Sequence, residues 1–256
     1  MPNANSIIQQ EALSIHIFAD GFSFCSPSQI DFIRTPEGIQ DFQPAFDEFF
    51  AYHKEQAKAS IQIIQFEYPS TFVPNALFDE KQKEKYNGLY QSLTDEVRIE
   101  FDSLNALSLN NVYPFSSALH TILDKSSLAF SLVHYNTLLL EWISKLECST
   151  AHEHQVYVHL QKNTLDVFLF SKSKFLFSNR FNIKNTDEFL YYLFFIAEQF
   201  ELQDQFDLVF LGDYCPFSAF YKAATAYHSS LQHVGSTLAE DFELTQHPAP
   251  FFIPTS

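Results

Sequence analysis

The residues of this 256-residue chain that could do chemistry sit in short turns between apolar runs. The first set is Asp20-Gly21, inside "SIHIFADGFSF" (Ser14–Phe24). A small residue beside an acid can bring backbone N–H groups up to a phosphate, while the carboxylate orients Mg²⁺ or water. Asp-Gly is also the strongest short hairpin signal, because both residues tolerate the positive φ of a type I′ turn. Bulky Phe22 follows Gly21 directly, with neither a spacer nor a hydroxyl, and this favours the hairpin. A two-residue turn at Asp20-Gly21 would pair Ala19 with Phe22, Ile17 with Phe24 and Ile15 with Ser26. Strand alternation then puts Ile15, Ile17, Ala19, Phe22 and Phe24 on one face.

Other polar sets are weaker. "AHEHQVYVH" offers His152 and His154 on one strand face, but His159 has the opposite parity. A zinc site needs three or four converging ligands, so no metal is assigned. His159 lies across the expected Lys162-Asn163 turn from Asp166. A His–Asp pair is half of a triad, but no Ser or Cys is placed to complete it, so the pair reads as a cross-strand polar contact. A two-metal nuclease needs clustered carboxylates, one of them on the first strand. That strand has His16 at its centre and Asp20 only at its turn. Cys25, Cys148 and Cys215 are isolated, which makes neither a CxxC site nor a disulfide framework and fits a reducing compartment. Asp79 and Lys83, four apart, read as a solvated helix face. No catalytic residue is assigned.

Composition narrows the partners. The net charge is −16, and each half is acidic: 9 Lys/Arg against 19 Asp/Glu in residues 1–150, and 6 against 12 in residues 151–256. Phosphate neutralisation drives nucleic-acid binding, so nucleic acid is not expected, nor are anionic membrane surfaces. Only 5 Gly stand beside 30 Phe and 12 Tyr, which leaves little material for glycine-rich nucleotide loops. The N-terminus lacks the basic and apolar regions of a signal peptide. The longest apolar run, Phe189–Ala197, is far short of the ~20 residues of a membrane helix. A cytoplasmic protein without membrane insertion is expected.

The elements that position these residues repeat. Leu13–Ala19, Phe22–Ser26 and Ile30–Arg34 read as strands. A helix over Gln40–His53 follows, with Phe42, Phe46, Phe49 and Phe50 at helical spacing, then a strand over Ile61–Tyr68. His154–Gln161, Thr164–Ser171 and Lys174–Ile183 repeat the strands. A helix capped by Asn185 or Thr186 and a strand over Phe206–Leu211 complete the repeat. A second helix is expected in each half, at Asp79–Tyr90 and Phe217–His228. An insertion is expected within about residues 69–136, with strands near Val97–Asp102 and Ala106–Val112 and a helix near Phe115–Lys125. Ser127–Tyr135 reads as a strand and Thr137–Glu147 as a helix. The expected lobes are residues 1–150 and 151–256, with Ser149–Glu153 as the link.

Two duplicated βββαβα lobes, α/β with mixed sheets flanked by helices, are the plan of the ribonuclease-H-like, actin-like fold. Nearly end to end, the chain also resembles an uncharacterised bacterial family of unknown function with that fold. "VPNALFDEKQKEKY", "VYVHLQKNTLDVFLFSKSKFLFSNRFNIKNTDEFLYYLFFIAEQ" and "FDLVFLGD" carry the resemblance. More distantly it is similar to the actin-like ATPases of cell division and pilus assembly. That resemblance implies a nucleotide held by an Asp-x-Gly turn in each lobe and by a glycine pair after a late strand. Here the turns are Asp20-Gly21-Phe22 and Lys162-Asn163, and Gly212 stands alone in "LGDY". The three departures together imply degenerate ATPase motifs and no resident cofactor. The expected role is a non-catalytic one through a protein partner, with homo-oligomers open. The alternative is a switch that binds ATP with Mg²⁺ in an inter-lobe cleft lined by Asp20, Gly21, Lys162, Asn163 and Gly212.

Overall fold

β-branched and aromatic residues alternate along Leu13–Phe18 (β1), which forms the centre of a five-stranded sheet. Gly21–Ser26 (β2) and Gln29–Arg34 (β3) return antiparallel on one side of it. Ile61–Gln65 (β4) and Phe130–His134 (β8) lie parallel on the other side, in the order β3-β2-β1-β4-β8. The computed structural model describes residues 13–26, 29–35, 39–52, 61–88, 96–126, 129–146, 151–161, 163–212 and 215–234. It divides into two compact units between Glu141 and Trp142.

The first unit's core follows from the two periodicities. Ile15, Ile17, Phe22, Phe24, Ile61 and Ile63 cover one face of the sheet. They pack on Phe42, Phe46 and Phe49 of helix α1 (Ile39–Tyr52) and on Leu119 and Leu123 of helix α3 (Ser117–Lys125). Each such side chain contributes about 1.5–3 kcal/mol on burial. Between β4 and α3 lies a separate three-stranded sheet of Thr71–Pro74 (β5), Val97–Leu104 (β6) and Leu109–Ser116 (β7), in the order β5-β7-β6. Helix α2 (Lys83–Gly88) brings Tyr86 to a small core of Val73, Ile99 and Val112. Helix α4 (Tyr135–Lys145) follows β8.

The second unit repeats the plan. Its strands are His154–Gln161 (β9), Thr164–Ser171 (β10), Lys174–Asn182 (β11), Phe206–Leu211 (β12) and Leu231–Val234 (β13). They are ordered β11-β10-β9-β12-β13. Helices α5 (Thr186–Gln199) and α6 (Ser218–Thr225) supply Phe189, Leu193, Ile196 and Ala224 to its core. The Asn185 side chain caps α5 by accepting the Glu188 N–H at 2.9 Å.

The structure corrects three expectations. In the first hairpin Phe18 pairs with Gly21, Ile17 with Phe22 and Ile15 with Phe24, so the turn is Ala19-Asp20 and Gly21 belongs to β2. Ile15, Ile17, Phe22 and Phe24 keep a common face, whereas Ala19 is exposed in the turn. The helix expected at Asp79–Tyr90 begins as a 3₁₀ turn at Glu80–Gln82 and serves the inserted sheet. The helix that matches α6 in the repeat is α3. Each sheet also ends in an additional parallel strand after that helix, and the second of these, β13, was not expected.

Candidate functional site

The reason for the shifted turn is steric. β3 runs so close to Gly21 that a Cβ there would stand 2.3 Å from the Ile33 carbonyl oxygen and 2.9 Å from the Phe32 ring. Thr35 N–H donates to the Asp20 carbonyl at 3.0 Å and fastens β3 under the turn. The missing side chain of Gly21 is therefore taken up by a neighbouring strand.

A cavity of about 200 Å³ opens beside this turn, at the carboxyl ends of β1 and β4. Its apolar wall is Ile17, Phe18, Phe42 and Leu119, and its polar side carries Glu67, Tyr68, Glu96 and Ser116. Among the described residues no Lys, Arg or His lines it. Burial pushes the Glu67 carboxyl up from 4.5 to about 7. Burial also raises the Tyr68 hydroxyl, with Glu67 and Glu96 adding to the effect. Gln65 is fully buried, and neither its amide nitrogen nor its oxygen has a hydrogen-bond partner among the described residues. Gln65 pairs with Ile17 in the parallel ladder and shares its face of the sheet, beneath the cavity rather than among its lining residues. Sequence reasoning missed Gln65 and Glu67. The available signal was "IQIIQFEY" (Ile61–Tyr68), two polar side chains two residues apart at the carboxyl end of a buried strand.

The other candidate residues lie in the second unit. Asn163 is exposed, and its carbonyl accepts the Ile183 N–H at 2.9 Å. Gly212 has φ +99° and donates its N–H to the Val234 carbonyl at 3.0 Å, so that donor is engaged in tying β12 to β13. Lys162 lies outside the described residues. Asp20 and Gly21 are adjacent at one turn of the first unit.

The second unit's sheet carries a polar row. His159, Asp166 and Arg180 are register partners on β9, β10 and β11. The expected His159–Asp166 cross-strand pair is present, with Nδ1 3.7 Å from Oδ2. Arg180, which sequence reasoning missed, grips Asp166 with two donors, Nε at 2.7 Å and Nη2 at 3.0 Å. Burial works to raise the Asp166 carboxyl, but the Arg180 charge outweighs it and holds the group well below the usual range. Burial depresses the His159 imidazole. His152 lies before β9, where its Nδ1 is 3.0 Å from Asp207. Ser230 Oγ donates to the same carboxylate at 2.6 Å. Among the described residues no three His, Cys, Asp or Glu side chains are grouped to hold a metal.

A second polar cluster joins the inserted sheet to α4. Asp102 accepts from Tyr113 Oη at 2.9 Å, His134 N–H at 2.8 Å and Thr137 Oγ1 at 2.5 Å. Burial raises its carboxyl to about 6, and the three donors oppose the shift. Both carboxylate oxygens are engaged by structural donors, so the cluster ties these elements together.

The outer face of α5 is different in kind. Tyr191, Phe195 and Tyr227 are 63%, 42% and 67% exposed around a groove of about 400 Å³, with Asp187 and Glu198 at its ends. Tyr191 and Phe195 stack with ring centroids 6.1 Å apart. Among the described residues no helix is long and apolar enough to cross a membrane.

Comparison with known proteins sets the fold in context. A crystal structure from Bacteroides thetaiotaomicron VPI-5482, a protein with an actin-like ATPase fold and unknown function, matches with a TM-score of 0.72 at 17% identity. The match covers 91% of this chain and 94% of that one. A PilM-PilN type IV pilus biogenesis complex matches with a TM-score of 0.58 at 12% identity, covering 96% of both chains. No curated protein matches the sequence. The fold is that of the actin-like ATPases. Residues 2–231 match the family described as protein of unknown function (DUF3822), and the chain belongs to that family.

Proposed function

We propose that this protein is a non-catalytic member of the actin-like fold that works by binding another protein. The observation that carries this reading is the aromatic face of α5, where large rings stand in solvent beside a groove. Exposed aromatics are the residues that anchor protein interfaces. The degenerate turns support the same reading. Gly21 is occupied by β3 and the Gly212 N–H by β13, so neither small residue is left to approach a phosphate. The partner's chemistry follows from the helix, which carries Asp187, Glu188 and Glu198 and no base. A segment with apolar anchors and flanking Lys or Arg complements it. A second copy of a chain with net charge −16 does not.

The test compares wild type with the Tyr191→Ser/Phe195→Ser variant as bait in a cytoplasmic extract, followed by titration of the captured protein's basic segment. A stoichiometric partner held by wild type and lost from the variant is expected. Equal recovery by both proteins, or a wild type that sediments as a monomer and holds nothing, overturns the reading.

A further inference from the structure

We propose that, in the free protein, the chain's own segment "HPAPFFIP" (His247–Pro254), outside the described residues, occupies the aromatic groove on α5 and gives way to the protein partner. This rests on the α5 face being the partner's docking surface and adds how that face is regulated. The groove is a second apolar stripe on one helix. Tyr191, Phe194 and Phe195 recur at helical spacing between Asp187 and Glu198, while Phe189, Leu193 and Ile196 fill the core on the inner side. A helix that is apolar on both sides needs a cover on both. Tyr191 and Phe195 stack at an interplanar angle of 18°, and Tyr227 meets Phe194 edge-on at 6.1 Å to close the groove.

Chemistry, length and reach select this occupant. Aromatic-lined grooves take proline-rich segments, whose fixed φ lowers the entropy cost of docking. Pro248, Pro250 and Pro254 frame Phe251, Phe252 and Ile253 in a stretch without an acid. Glu240, Asp241 and Glu243 precede His247 by at least four residues and need not approach Asp187 or Glu198. At 1.5 Å per residue, α5 runs about 17 Å from Asp187 to Glu198. Extended at 3.1 Å per residue, Pro248–Ile253 covers about 19 Å. Val234, which ends β13, follows Tyr227 by seven residues and so lies within about 25 Å of the groove's edge. Phe251 follows Val234 by 17 residues, enough to reach up to about 56 Å. Membership of the same chain gives the segment an effective concentration on the order of 1 mM. His247 is its one basic group, and a partner with Lys or Arg flanks matches the groove's acids better and displaces it.

The experiment is fluorescence anisotropy of a labelled HPAPFFIPTS peptide titrated with the full chain. The chain is used as wild type, as Phe251→Ser/Phe252→Ser, and as that variant with Tyr191→Ser/Phe195→Ser added. The peptide is expected to bind Phe251→Ser/Phe252→Ser with a Kd of about 0.1 mM and the wild type about tenfold more weakly, because the chain's own segment holds the groove. Adding Tyr191→Ser/Phe195→Ser is expected to abolish binding, and Tyr227→Ser, on the facing wall, to weaken it. Equal affinity for wild type and Phe251→Ser/Phe252→Ser, no binding to either, or binding that survives loss of the α5 rings overturns the proposal. A wild type that sediments as a dimer beside a monomeric Phe251→Ser/Phe252→Ser overturns it in favour of a second copy's segment. As bait in extract, Phe251→Ser/Phe252→Ser is expected to hold several-fold more partner than wild type. Equal capture by both, still lost in Tyr191→Ser/Phe195→Ser, overturns the segment's role and leaves the α5 reading standing. Capture that does not depend on Tyr191 and Phe195 overturns both.

Discussion

At the carboxyl end of the first sheet, Glu67 faces a cavity in which no cation is among the described lining residues. Across the middle of the second sheet, Asp166 lies between His159 and a bidentate Arg180. The two sheets have the same strand order, yet their carboxyls shift in opposite directions, although burial works to raise both. Glu67 is pushed up by its loss of water, and Asp166 is held down because a guanidinium outweighs the same effect. A charge that is matched inside the fold fixes the pairing of three strands. One that is not matched is held nearer its neutral form by burial.

The largest expected effect comes from breaking the matched site. Arg180→Met leaves Asp166 as an uncompensated buried charge and is expected to cost about 3–5 kcal/mol in urea unfolding. Trp142, the chain's single tryptophan, belongs to the same unit and reports on it by fluorescence. The double variant Asp166→Leu/Arg180→Met is expected to recover most of the loss, because a well-packed apolar pair removes the charge together with its partner. A loss below about 1 kcal/mol in Arg180→Met would show that the two carboxyls are not differently matched after all.

The glycines sharpen the comparison next. Gly21→Ala puts a methyl 2.3 Å from the Ile33 carbonyl oxygen, a backbone atom held in the β2–β3 ladder. Its expected cost is about 2–3 kcal/mol. Gly212→Ala meets the conformational penalty of φ +99° and is expected to cost about 1 kcal/mol. Equal costs would mean that β3 can retreat from Gly21, and the close packing that forms one wall of the cavity's turn would lose its role.

Much of this architecture was legible beforehand, and the reasons are local. Hairpin signals placed β9 and β10, and a short apolar run placed β12, at their observed limits, and the Asn185 cap marked the start of α5. The first turn was misplaced by one residue because Asp-Gly carries a local turn signal. What fixes the register there is the approach of β3, a contact that no short-range pattern reports. β13 was missed because "LQHV" is short and half-buried, and it becomes a strand only where β12 offers an open edge. The cavity was invisible for the same kind of reason. Glu67 and Glu96 lie 29 positions apart, with the strand β5, helix α2 and their connections between them, and only the fold brings them to one wall.

The smallest effect concerns pH, and its sign separates the two carboxyls. Glu67 has a folded-state pKa of about 7 against an ordinary value of 4.5. Between those values the folded protein holds a proton that the unfolded chain has released. Its contribution to stability is therefore complete below pH 4.5 and is lost as the pH rises through about 7. Asp166, held below its ordinary 3.8, behaves oppositely: its contribution is present above that pH and is lost as the pH falls. Glu67→Gln keeps the neutral form at every pH. It is expected to match wild type at pH 4.5 and to exceed it by about 1–2 kcal/mol at pH 8, after allowance for partial exposure to solvent. Urea unfolding at the two pH values measures the difference. An advantage that is the same at both pH values would trace to packing alone and would remove the distinction between the two sites.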